Sequence, residues 1–123
     1  MARILLAEDD DSLRVFLSRA LDKAGHFVTA CGRGDEALTS LREAVFDLLV
    51  TDIVMPELDG ISLAKAAAVI APAMKVMFIT GFAAVALNPT SGIAPGQTVL
   101  SKPFHLRDLV RAIDAVLEES PAA

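Results

Sequence analysis

The chain has 123 residues, 54% hydrophobic and 22% charged, with six Phe and no Trp or Tyr, which suits one globular domain with a real core. No apolar run reaches the roughly 20 residues that span a bilayer, and the first seven residues lead straight into acids without a signal-peptide pattern, so a cytoplasmic protein is expected. A formal charge of −5 argues against non-specific DNA or RNA binding, while the single cysteine, Cys31, excludes an internal disulfide and argues against a Cys-based zinc site.

Arg3-Ile4-Leu5-Leu6-Ala7 is a short apolar run that stops at Glu8-Asp9-Asp10-Asp11 and predicts a first strand. Leu13, Phe16, Leu17, Ala20, Leu21 and Ala24 recur at helical spacing, with Gly25 as the stop. Asp10 and Asp11 suit the start of that helix, since Asp caps it and acids favour its first turn. Phe27 to Cys31 reads as a second strand, followed by a Gly32-Arg33-Gly34 turn and a helix facing inward through Ala37, Leu38, Leu41 and Ala44. Phe46 to Thr51 predicts a buried strand ending at Asp52, and a third helix covers about Gly60 to Ile70 before Pro72. Lys75 to Thr80 and Val99 to Ser101 are strands four and five, and Leu106, Leu109, Val110, Ile113, Val116 and Leu117 form the stripe of a last helix. Pro89, Gly92, Pro95 and Gly96 interrupt the stretch between those two strands, so a fourth helix is expected to be shortened or irregular and confined to about Ala83 to Leu87. Uninterrupted apolar strands separated by helices imply a parallel sheet inside a three-layer α/β sandwich. With no linker or repeat, one domain is expected over 1–123, ordered over about 2–118, with a flexible tail at 119–123.

The chemically interesting residues gather where such a fold binds ligands, beyond the carboxyl ends of the strands. Glu8 and Asp9 follow strand one, Asp52 ends strand three, Thr80 ends strand four and Lys102 follows strand five. A strand order of 2-1-3-4-5 would set strands one and three side by side and bring the three carboxylates together. Such a cluster repels itself and needs a cation. Oxygen-only ligands with water suit magnesium better than zinc. Three carboxylates, one lysine and one divalent cation balance to zero, which leaves room for a phosphoryl group on a carboxylate nucleophile. Among the other side chains, Cys31 reads as a small residue at the core edge, His26 as part of a turn, and His105 as an exposed residue at a helix start.

The segments Ile4–Asp10, Asp52–Gly60, Phe78–Gly81 and Lys102-Pro103-Phe104 resemble the bacterial response-regulator receiver domains, over about residues 2–118. The resemblance implies a flavodoxin-like fold, (βα)5 with strand order 2-1-3-4-5. It assigns Asp52 as the residue that becomes an aspartyl phosphate, Glu8 and Asp9 as the acidic pair for Mg2+, and Val54 as a backbone-carbonyl ligand. Thr80 and Lys102 would engage the phosphoryl group, and the Lys102-Pro103 peptide would be cis. The implied partners are a histidine kinase or histidine phosphotransfer protein and a separate output protein, with no nucleic acid and no membrane insertion.

Three features depart from the family pattern. Val99 stands where an aromatic often changes rotamer on activation, Gly81 follows Thr80 in place of the frequent Ala, and the Pro89–Gly96 stretch falls on the usual fourth helix. Phe78 to Ala84 and Leu100 to Leu106 are similar to the CpdR-type cell-cycle regulators of alphaproteobacteria. That likeness implies control of ClpXP proteolysis by the unphosphorylated form, with recruitment to a cell pole. The Ala122-Ala123 end resembles some C-terminal protease recognition tags, and a frayed helix end accounts for it equally. Two other functions compete. A haloacid-dehalogenase-like phosphatase also uses an aspartate nucleophile, but would need an Asp at position 54, where Val54 stands. A receiver-like module that never uses phosphate would have no use for the polar set at the strand ends.

Overall fold

The computed structural model describes residues 2–55, 57–81, 98–102 and 104–118. Along the chain these form β1 (Arg3–Ala7), α1 (Asp11–Lys23), β2 (Phe27–Cys31), α2 (Gly34–Glu43), β3 (Leu48–Asp52), α3 (Gly60–Ile70), β4 (Lys75–Thr80), β5 (Thr98–Ser101) and a last described helix, α4 (Leu106–Glu118). The five strands form one parallel sheet in the order β2-β1-β3-β4-β5, the flavodoxin-like arrangement. The expected short helix at Ala83–Leu87, the Pro89–Gly96 interruption, the cis Lys102-Pro103 peptide and the flexible tail fall outside the described residues.

Alternation along the strands divides the core into two layers. Ile4, Leu6, Leu48, Val50, Met77 and Ile79 face Leu17 and Leu21 of α1 and Leu109, Ile113 and Val116 of α4. Leu5, Ala7 and Leu49 face the other way, toward Ala37 and Leu41 of α2 and Leu63 and Ala67 of α3. Because successive strand side chains point to opposite faces, a sheet covered on both sides requires apolar residues at every position. In β3 all five residues are buried, with Leu48, Leu49 and Val50 meeting that requirement and the polar Thr51 and Asp52 following at the carboxyl end.

The helix ends follow from local chemistry. Asp10 caps α1 by accepting from the Leu13 N–H at 2.9 Å, and Asp59 caps α3 by accepting from the Ser62 N–H at 2.8 Å. Each satisfies a donor that the first helical turn leaves without a partner. Gly25 follows α1 with φ 99°, the left-handed conformation that glycine adopts without steric cost.

Two expectations about the apolar residues need correction. Phe16 is 54% exposed, because helical geometry sets it roughly 120° from the midline of Leu17 and Leu21. Phe27 is 61% exposed, because β2 is an edge strand rather than one covered on both faces. The third strand also begins at Leu48 rather than Phe46, although Phe46 is still buried in the layer facing α2 and α3.

Candidate functional site

The parallel sheet delivers the predicted residues to one edge. Glu8 follows β1, and its N–H donates to the Cys31 carbonyl at the end of β2 (3.0 Å). Asp52 is the last residue of β3, and Thr80 ends β4 beyond Ile79, the register partner of Asp52. Lys102 follows β5, with its N–H donating to the Thr80 carbonyl at 2.7 Å. From there its ammonium reaches across the edge, donating to Glu8 Oε1 at 3.0 Å and Asp52 Oδ2 at 2.9 Å. The other Asp52 oxygen accepts from the Val54 N–H at 3.3 Å.

The electrostatics are those of crowded acids. Glu8 is fully buried, Asp52 and Thr80 are buried, and Asp9 is exposed. Burial pushes the Glu8 carboxyl up to about 7, and the hydrogen bond and charge of Asp52 push the same way, against Lys102. Burial lowers the pKa of the Lys102 ammonium, but Asp52 and Glu8 more than reverse that and leave it raised. One ammonium therefore serves two buried carboxylates. Ligand oxygens of Glu8, Asp9 and Asp52 lie within 4.8 Å of one another, close enough for one cation to touch all three. The donor set is all oxygen, which fits a hard cation such as Mg2+.

Glu8, Asp9, Asp52 and Lys102 are thus brought together as the sequence predicted. Thr80 lies at the same edge, and the contact Val54 makes there is through its backbone N–H to Asp52. Val99 packs at the margin of a small cluster formed by Ile53, Ala64 and Phe78. Cys31 is buried, and His105 is exposed just before α4. His26 lies just past the Ala24-Gly25 turn rather than in it; its side chain is mostly buried and its Nδ1 accepts from the Ala2 N–H at 3.1 Å.

Other contributions were not apparent from spacing. A Cβ at Gly60 would lie 1.9 Å from the Asp52 carbonyl oxygen, so only glycine permits this approach of α3 to the end of β3. The Gly60 N–H also donates to the Ile53 carbonyl at 2.8 Å. Arg33 pairs with Asp35 and with Glu57, tying the turn after β2 to the loop after β3. The Asp59-Gly60 motif could have signalled the first contact; nothing in the spacing signals the second.

A Glu/Asp/Asp/Lys cluster at the carboxyl edge of a 2-1-3-4-5 sheet is the site architecture of a receiver, and the chain belongs to the response regulator receiver domain family, matched over residues 4–114. It is a receiver of two-component signalling. Among its relatives it is 60% identical over 117 residues to the response regulator receiver protein CpdR of Brucella abortus (strain 2308), covering 95% of this chain and 98% of that one. The fold matches a response regulator receiver protein from Sinorhizobium medicae WSM419 with a TM-score of 0.85 at 35% identity, covering 94% of this chain and 93% of that one. It also matches the receiver domain of the hybrid histidine kinase CckA, with a TM-score of 0.80 at 33% identity over 94% and 99% of the two chains. Among the described residues, no helix is long and apolar enough to cross a membrane.

Proposed function

We propose that residues 1–123 act as one receiver domain whose Asp52 accepts a phosphoryl group from a histidine kinase or histidine phosphotransfer protein. The observation that carries this reading is the Lys102 ammonium, held within 3.0 Å of both Glu8 and Asp52. An Asp52 oxygen attacks the phosphorus of the phosphohistidine, the P–N bond breaks, and the imidazole leaves with the bonding pair. Lys102 stays beside the reacting carboxylate and pairs with a phosphoryl oxygen. The Thr80 hydroxyl, at the neighbouring strand end, engages another. Glu8, Asp9, Asp52 and the Val54 carbonyl would hold Mg2+, which when bound supplies positive charge against the carboxylates and the incoming phosphoryl oxygens.

The output is a change in binding to a separate protein. The 60% identity to CpdR supports a CpdR-type role, in which phosphorylation state controls ClpXP-type proteolysis and recruitment to a cell pole. Val99 offers no aromatic ring, so the signal has to travel by another route than an aromatic rotamer change beside Thr80. The test is labelling by a small phosphodonor in magnesium. Wild type takes up label and Asp52→Ala takes up none; label that persists in Asp52→Ala would remove the assignment. A pull-down of ClpX with wild type and Asp52→Ala, each with and without phosphodonor, tests the output. Equal capture in all four samples would exclude phosphorylation control of that partner.

A further inference from the structure

We infer that Arg14 is a positioning residue for the acidic loop, and that Gly32 leaves the space it needs. The inference rests on the magnesium reading above. Its observation is a contact that this reading does not use: Arg14 Nη1 donates to the backbone carbonyl of Glu8 at 3.0 Å.

Both peptide groups flanking the Glu8 Cα are held. The Glu8 N–H donates to the Cys31 carbonyl (3.0 Å), and the Glu8 carbonyl accepts from Arg14. The Arg14 guanidinium is itself held, with Nη2 donating to Asp11 at 2.6 Å and only 22% of the side chain exposed. Arg14 lies on the first turn of α1, and its N–H donates to the Asp10 carbonyl at 2.8 Å. The three-residue passage from β1 to α1 is therefore fixed at Glu8 by a side chain and at Asp10 by the helix cap. Between them sits Asp9, whose exposed carboxylate is aimed by the backbone that carries it. Fixing the Glu8 carbonyl fixes the plane of the peptide that links Glu8 to Asp9. That is how groups outside the coordination shell orient the ligands within it.

Gly32 completes the device. A Cβ there would lie 2.9 Å from Arg14 Nη1 and 3.4 Å from Cζ. The guanidinium ends a flexible side chain, so Gly32→Ala would displace it from the Glu8 carbonyl and leave the fold intact. Arg14→Ala and Gly32→Ala thus reach the same contact from different elements.

The sign of the effect separates this role from plain electrostatics. A cation near an acidic cluster repels Mg2+, so deleting a merely repelling Arg14 would tighten binding. A positioning Arg14 predicts weaker binding. Magnesium affinity of the unphosphorylated protein is measured by titration calorimetry for wild type, Arg14→Ala, Arg14→Lys, Gly32→Ala and the double variant. We expect about tenfold weaker binding in Arg14→Ala and partial recovery in Arg14→Lys, which retains a charged donor group but not the planar fork. Gly32→Ala should lose several-fold in affinity with unchanged metal-free stability, and should have no further effect in the Arg14→Ala background. Equal or tighter binding in Arg14→Ala overturns the inference, as does a Gly32→Ala effect that persists undiminished in the double variant. A wild type that binds no magnesium instead sinks the reading on which the inference rests.

Discussion

The two ends of the sheet treat polar groups in opposite ways. At the amino end, donors and acceptors are spread over separate contacts. The Ala2 N–H donates to His26 Nδ1, the Arg3 N–H to Asp47 Oδ2 at 2.8 Å, and Lys75 Nζ to the Val116 carbonyl at 2.6 Å. At the carboxyl end, Glu8 and Asp52 are buried together around one ammonium, with Asp9 beside them. The first arrangement satisfies backbone and side-chain groups and closes the domain. The second gathers acceptors of one sign and raises Glu8 to about 7. A fold keeps such a cluster at a cost in stability, and that cost points to an occupant with positive charge.

The contrast can be broken by substitution. The largest expected effect is at Gly60, where any side chain meets the Asp52 carbonyl oxygen. Gly60→Ala should cost about 3 kcal/mol in urea unfolding and disturb the site. An undisturbed variant would mean that backbone approach does not set the carboxyl edge. Next come the two lysines. Lys102→Met leaves two buried carboxylates without their shared cation and should cost about 2 kcal/mol in magnesium-free buffer. That is below the usual range for breaking a buried pair, because 28% of the Lys102 side chain is exposed. Added magnesium should restore part of the loss. Lys75→Met removes a donor from the carbonyl of a helix end and should cost about 1 kcal/mol, with no response to magnesium. Matching magnesium responses in the two variants would erase the distinction between the ends.

The smallest effect concerns Asp59. Desolvation raises its carboxyl, but the Ser62 N–H and hydroxyl hold it below the ordinary 3.8. Its stabilising contribution is therefore present above the unfolded pKa and is lost as pH falls through the lower folded value. Asp59→Ala should cost about 1 kcal/mol at neutral pH, with the difference from wild type shrinking below about pH 4. A pH-independent difference would assign the effect to something other than the carboxylate cap.

Much of this was legible in the sequence, for identifiable reasons. β2, β4 and α3 have the predicted bounds, because apolar runs are bounded there by residues with strong backbone preferences, such as Gly25 and Pro72. Glu8, Asp9, Asp52 and Lys102 were legible because each sits at a strand end, and a parallel sheet aligns those ends. Phe16 and Phe27 were misread because apolar character does not reveal which side of a helix or which edge of a sheet lies open. Arg14 and Gly32 were invisible for another reason. Their meeting depends on a long side chain crossing from α1 to the end of β2, and no period encodes that. Gly60 lies between these cases: the motif marked the position, and only the distance to Asp52 explains it.

The central claim is that the carboxyl edge is a cation-dependent phosphoacceptor centred on Asp52. It is tested most directly by phosphotransfer from a phosphorylated histidine phosphotransfer protein, with the acceptor residue mapped in magnesium and in chelator. The account predicts label on Asp52 in magnesium and none in chelator. Label on another carboxylate, or equal transfer in both conditions, would contradict it.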